Sequence, residues 1–298
     1  MQAMNGEDYF EDRIRKTIKA GRILKSIKEE IKGKIKPGIS VLEIAEFVEE
    51  KIKKYGAKPA FPCNISINSD AAHYTPKKND TKRVNDGDLI KVDIGAHIDG
   101  WIADTAITID LGDNKDLVQA SEEALKRAIE IICDGVNTAE IGGIIENTIK
   151  EFGYKPIINL TGHGLERYRT HAPPAIFNIK LPKGTVLKEG MIIAIEPFAT
   201  NGVGKVIERG EVEIFSFIGE GKAIRIKKAR EMLNEIKEFK TLPFAKRWLK
   251  KPSDLILQIL VKNGILKSYP VLTEKSGGLV SQAEHTIIIE KDGARIIT

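Results

Sequence analysis

Only two cysteines, Cys63 and Cys133, occur in 298 residues, and neither sits in a paired motif. A disulfide framework and a thiolate zinc site are therefore excluded, which fits a reducing, cytoplasmic compartment. No apolar run exceeds the length of a strand, so no transmembrane helix is expected. Residues Met1 to Asp8 carry neither a basic n-region nor an apolar h-region, so no secretory signal is expected. The sequence also lacks a His-Glu-x-x-His helix motif, a Walker A motif and a dinucleotide fingerprint. A thermolysin-like helical metal site and the common nucleotide-dependent chemistries are thus without support.

What is present is a globular composition, 42% hydrophobic and 30% charged. That allows one large domain, or two of ordinary size, with a well-filled core. The net charge of +5 is uneven. Residues 220–275 hold 14 Lys and Arg against 6 Asp and Glu, which leaves 33 against 36 elsewhere. The basic character belongs to one segment.

Five metal-type ligands stand in short, strand-like or glycine-flanked contexts: Asp93, Asp104, His163, Glu196 and Glu284. Carboxylates and an imidazole among apolar residues are costly to bury unless something positive compensates them. A pair of divalent cations would do so, and a two-metal hydrolase is the leading idea. Each residue alone has a plainer reading as a turn, cap, loop or strand-end residue. Their recurrence on inferred inward faces favours one shared cluster.

The spacing predicts a long amphipathic helix from about Tyr9 to Ile31, with Ile14, Ile18, Ile23, Leu24, Ile27 and Ile31 on one face. Ser40 and Glu43 form a capping-box signature for a second helix that stops at Gly56. A weak copy follows 97 positions later: Gly38, Glu43, Ile44, Gly56, Lys58 and Pro59 match Gly135, Glu140, Ile141, Gly153, Lys155 and Pro156. Two similar halves facing each other across a cleft are expected. Between the copies, Leu89 to Ile94, the Asp99-Gly100 turn signal and Trp101 to Asp110 predict a hairpin. With an even-length loop, Asp93 and Asp104 fall on the same face.

A further strand, Met191 to Ile195, ends at Glu196. Residues from Lys227 to Gly264 read as helical; a proline-bearing strand, a Gly277-Gly278 turn and a closing strand from Leu279 to Glu290 follow. The basic, mostly helical segment thus reads as an insert at 216–278 with a winged-helix-like outline, and residues 1–215 and 279–298 as the main domain. His73 and His171 are placed beside proline-stiffened loops that could present them to a cleft. His285 should point away from the site, and His97 is a turn-side residue without an assigned role.

Carboxylate-rich O/N ligation suits Mn²⁺, Fe²⁺, Co²⁺ or Zn²⁺, and does not select one. Two bridging carboxylates would hold two ions roughly 3.5–4 Å apart, a spacing that favours a nucleophilic water at neutral pH.

These motifs together resemble the methionine aminopeptidases, specifically the type 2 class. The resemblance rests on Ala60-Phe-Pro62, Ala71-Ala-His-Tyr-Thr-Pro76, Lys91-Val-Asp-Ile-Gly95, Asp104, Thr161-Gly-His-Gly164, Ile195-Glu-Pro-Phe198 and Ala283-Glu-His-Thr286, and on the long insert before Glu284. It implies an α/β "pita-bread" fold with pseudo-twofold halves around a central antiparallel sheet. It further implies Asp93 on one ion, Asp104 and Glu284 bridging both, and His163 and Glu196 completing the other. Glu196 would also shuttle a proton from a bridging water, His73 and His171 would contact the scissile amide, and Phe61 would line a methionine pocket. The implied reaction is removal of the initiator methionine from nascent chains with a small, uncharged second residue. A monomer without DNA or membrane partners is expected. Two rivals stand beside this reading. A proline-directed (Xaa-Pro) peptidase of the same fold would carry an N-terminal domain for which there is no room before Asp93. A non-enzymatic ribosome- or RNA-binding relative would use the basic insert, through charges such as Lys246, Arg247, Lys250 and Lys251; docking on ribosomal RNA is also compatible with an enzyme.

Overall fold

A computed structural model describes residues 6–219, 221 and 226–298 of the chain. Helix α1 (Gly6–Lys34) extends slightly beyond the apolar periodicity at both ends. Leu24, Ile27 and Ile31 are buried on its inner face. Helix α2 (Val41–Lys54) starts at Ser40, whose hydroxyl accepts from the Leu42 amide at 3.2 Å. Glu43 does not close the capping box but faces Lys34 at 3.7 Å. Strands β1 (Lys58–Pro59), β2 (Asn64–Ile67) and β3 (Asp70–Ala72) lead into the hairpin β4 (Leu89–Ile98) and β5 (Trp101–Asp110). Helices α3 (Lys115–Glu130) and α4 (Thr138–Glu151) precede β6 (Lys155–Pro156), β7 (Thr161–Glu166), β8 (Arg169–Phe177), β9 (Ile192–Ile195), β10 (Phe198–Thr200) and β11 (Val206–Phe217). Then come α5 (Lys227–Ile236), β12 (Phe244–Ala245), α6 (Asp254–Lys262), β13 (Leu266–Glu274), β14 (Val280–Gln282), β15 (His285–Glu290) and β16 (Gly293–Ile296).

The duplication is structural. Gly38 and Gly135 have φ of 90° and 91°, and Gly56 and Gly153 have 83° and 82°. These are left-handed positions that glycine adopts without strain. The Gly38 amide donates to Val84 O, and the Gly135 amide donates to Leu187 O. Asn137 caps α4 through Ala139 as Ser40 caps α2 through Leu42. Each half has its own core: α1 and α2 pack on the apolar face of the hairpin, and α3 and α4 pack on β9 and β15. The carboxylate-bearing faces lie on the other side, between the halves.

The expected helical run from Lys227 to Gly264 is interrupted. Only α5 and α6 are α-helical, with single 3-10 turns and β12 between them. Pro243 and Pro252 lack an amide donor and disfavour helix in the residue before them. These elements close a third core around Phe215, Phe244 and Leu257. β13 pairs with β11 on one side and with β3 of the first half on the other. The closing strand is likewise split: β14 pairs with β10 and β15 with β9, so the chain changes sheets at Ala283-Glu284. Strands β3, β8, β10, β11, β12 and β16 are additional to those read from sequence.

Ile98 pairs with Trp101 across a loop of Asp99 and Gly100. Both have positive φ, 53° and 89°, as a type I′ turn requires. His97 secures this turn by accepting from the Gly100 amide at 3.0 Å. Burial, then Lys58, lowers its pKa to about 4. An unfolded histidine takes up its proton near pH 6.5, so stability from this group is complete above that pH and is lost as pH falls toward 4. The loss is on the order of 3 kcal/mol. In chelator, the stability difference between the wild type and His97→Gln should therefore shrink by that amount between pH 7 and pH 4. A pH-independent difference in denaturant titrations would contradict this account.

Candidate metal centre and cleft

The hairpin register pairs Asp93 with Ala106 and Asp104 with Gly95, which puts both carboxylates on one face. Glu284 enters beside them at the switch between β14 and β15, its amide donating to Ala106 O at 3.2 Å. β15 pairs with β9, which delivers Glu196 at its end. β9 in turn pairs with β7, where His163 lies opposite Ala194. The glycines flanking His163 have a steric cause. A Cβ on Gly162 would stand 2.4 Å from Ala194 O, and one on Gly164 would stand 2.1 Å from Pro173 O. Neither backbone oxygen can move without breaking the sheet.

Asp104, His163 and Glu284 each offer a ligand atom within 4.8 Å of the others. The His163 Nε2 is 3.8 Å from Asp104 Oδ2 and 3.6 Å from Glu196 Oε1. Its Nδ1–H donates to Gly164 O at 3.2 Å, which leaves the Nε2 lone pair turned inward. Asn64 donates to Asp93 Oδ2 at 3.4 Å, and Gln282 to Glu196 Oε2 at 3.3 Å. Asp93 Oδ1, Asp104 Oδ1 and Glu284 Oε2 are buried without a hydrogen-bond partner among the described residues. Three orphaned carboxylate oxygens along one cavity are unfavourable by themselves. The donor set and its vacated lone pairs fit a divalent cation.

Protonation follows the same logic. Burial raises the Asp93 pKa to about 7. Burial, then the neighbouring carboxylates, pushes Asp104, Glu196 and Glu284 well above the usual range. Burial lowers His163 to about 3, with His171 adding to the effect. The imidazole is thus neutral, as a ligand must be, and the carboxylates gain most from a positive charge.

Above this cluster opens a cavity of about 330 Å³, walled by Phe61, His73, His171, Phe198, Tyr269 and Leu272. The Phe61 ring lies where a Cβ on Gly95 would be, 2.1 Å from that position. His73 has a φ of 65°, and its Nδ1 is 3.3 Å from Pro270 O. Burial, then His171, lowers its pKa to about 4. His171 is exposed at the cleft wall, and its ring centroid is 4.6 Å from that of His163. Surrounding protein, then Lys267, holds it below the ordinary imidazole value.

The loop placement of His171 is corrected here. It lies within β8, despite Pro173 and Pro174, because β8 pairs with β7 through a shifted register that accommodates them. His285 turns away from the cluster, toward Thr298 Oγ1 at 3.1 Å. Sequence reasoning missed Tyr269 and Leu272, although it anticipated a proline-bearing strand there. It also missed Asn64 and Gln282, which carry no motif signal.

Residues 15–229 match the model of metallopeptidase family M24. The chain belongs to metallopeptidase family M24. Across 291 residues it is 59% identical to a methionine aminopeptidase of Archaeoglobus fulgidus, covering 97% of this chain and 100% of that one. It is 51% identical to a methionine aminopeptidase of Thermococcus onnurineus, covering 94% and 98%. A crystal structure of a Thermotoga maritima methionine aminopeptidase superposes with a TM-score of 0.73 at 25% identity, covering 96% of each chain. The resemblance drawn from the motifs is thereby borne out, as is the fold: this M24 chain is a metallo-exopeptidase hydrolase. No helix among its described residues is long and apolar enough to cross a membrane.

Proposed function

We propose that this cleft removes an N-terminal methionine from peptides and nascent polypeptides whose second residue is small and uncharged. The observation that carries the reading is that four carboxylates and one imidazole, three of them with an orphaned buried oxygen, line one cavity with apolar walls. Asp93 would hold one divalent ion, His163 and Glu196 a second, and Asp104 and Glu284 both. The ions, when bound, would lower the pKa of a water and polarise the scissile carbonyl. Co, Mn, Fe and Zn all suit the donor set.

The chain's own groups do the rest. Glu196 would take up the proton released by hydrolysis and return it to the leaving amine. His73 and His171, both neutral at pH 7, would flank the amide, one toward the carbonyl oxygen and the other toward the amine. Phe61, Tyr269 and Leu272 would enclose the thioether side chain. The setting would be cytoplasmic, on a monomer.

The basic segment would add ribosome docking only through charges that are free to do so. Lys246 pairs with Glu213 at 3.2 Å and Asp254 at 2.7 Å, and Arg247 is buried against Glu49. Those two are therefore withdrawn from the expected surface set, while Lys250 and Lys251 are exposed.

The test is amino-acid release from Met-Ala-Ser and from an Xaa-Pro tripeptide, with Mn²⁺ or Co²⁺ and with chelator. Methionine release that needs metal and stops with chelator is expected, with none from the Xaa-Pro peptide. Release of Xaa alone would sink the methionine reading, and release unaffected by chelator would sink the metal reading.

A further inference from the structure

Arg247 lies in the most basic stretch of the chain, yet its side chain is only 5% exposed. One guanidinium nitrogen meets the Glu49 carboxylate. The other donates to Thr75 Oγ1 at 2.8 Å and Pro76 O at 3.0 Å. Glu49, on α2, also accepts from Trp248 Nε1 at 2.7 Å and from the Cys63 amide at 3.2 Å. Thr75 Oγ1 closes the ring by donating to Cys63 O at 2.8 Å. A single buried ion pair therefore grips both ends of the stretch from Cys63 to Pro76, which carries His73 and begins two residues after Phe61.

His73 needs such a grip. A left-handed φ of 65° in a residue other than glycine persists only where the surroundings over-determine it. Pro270 of β13 holds its ring from one side, and Arg247 holds the Thr75 hydroxyl and the Pro76 carbonyl, two and three residues further on. Both come from the same basic segment. Stability alone is a poor account of this arrangement, because a buried ion pair gains little over well-packed apolar residues. What a planar, multidentate guanidinium adds is direction.

We propose that Arg247, with Glu49, is a positioning residue for His73 and Phe61, so that the basic segment sets the rate of the reaction from within. This rests on the proposed role of His73 in that reaction. Arg247→Lys keeps the charge and removes the fork. Its kcat on Met-Ala-Ser should fall about 10-fold or more, since small misplacements of a catalytic group are amplified in rate. Metal affinity by calorimetry should stay within about two-fold, because no ligand is touched. In a His73→Ala background, the same substitution should cost less than about three-fold, because its target is gone. The double variant Glu49→Gln/Arg247→Met, which leaves no unpaired buried charge, should repeat the loss if Arg247→Lys folds poorly. An equal loss in both backgrounds, or none in either, overturns the inference. A His73→Ala protein with unchanged kcat identifies a failure of the underlying reading instead, and the inference falls with it.

Discussion

Asp104→Asn is expected to lower metal-dependent methionine release by about 1,000-fold or more while making the metal-free protein more stable. The first effect follows from the position of Asp104, between His163 and the other carboxylates. Loss of an outer-shell partner alone lowers metal affinity or activity about 10–100-fold, and the ligand role proposed for Asp104 should matter more. The second effect comes from burial and from Asp93 and Glu196, which push the Asp104 pKa well up. A folded carboxyl with a raised pKa disfavours folding as pH rises above about 4, where the unfolded group ionises. The amide keeps the shape and removes that charge. In chelator at pH 7.5, the variant should be the more stable of the two by denaturant titration. Added Mn²⁺ should raise the wild-type Tm and leave the variant nearly unmoved. A variant less stable than the wild type without metal, or one that keeps the metal-induced rise, would contradict this picture of the centre.

His171→Ala should lower kcat about 100- to 1,000-fold, the range for removal of one group that donates to a developing oxyanion or assists the leaving amine. Its ring is exposed at the cleft wall, so little packing is lost and Tm should hold. It stands 4.6 Å, ring to ring, from His163 without being one of the clustered ligands, so metal affinity should hold too. Steady-state kinetics beside calorimetric metal titration separates these effects. A kcat within about three-fold of the wild type would remove His171 from the reaction, and a matching loss of metal affinity would make it part of the centre.

Much of the frame was legible because local chemistry dictates it. The Asp99-Gly100 pair forces a tight two-residue turn, and period-two alternation then places Asp93 and Asp104 on one face. The 97-residue echo is written in glycines, because only they take the left-handed φ at Gly38, Gly56, Gly135 and Gly153 without strain. The five candidate ligands could be picked out because isolated polar residues in apolar strands need a reason. Other features misled. Pro173 and Pro174 suggested a loop around His171, whereas pairing with β7 overrides that local preference. The apolar spacing across 227–264 suggested continuous helix, and two prolines and a third core break it up. Arg247 read as one of the insert's charges open to an RNA partner, because its partner Glu49 is 198 residues away in sequence.

By itself, then, the sequence determined the first two helices, the hairpin and the duplicated halves, and it singled out the candidate metal ligands. All of these follow from spacing and backbone preference within a few turns or one strand pair. Only the tertiary structure decided that Glu284 meets Asp104 where the chain changes sheets, that Tyr269 and Leu272 wall the cavity, and that Arg247 reaches Glu49 instead of solvent. Those contacts join segments far apart in the chain, and no local preference encodes them. They are set by how the two halves and the basic segment close on each other, and that closure decides which buried charges find partners.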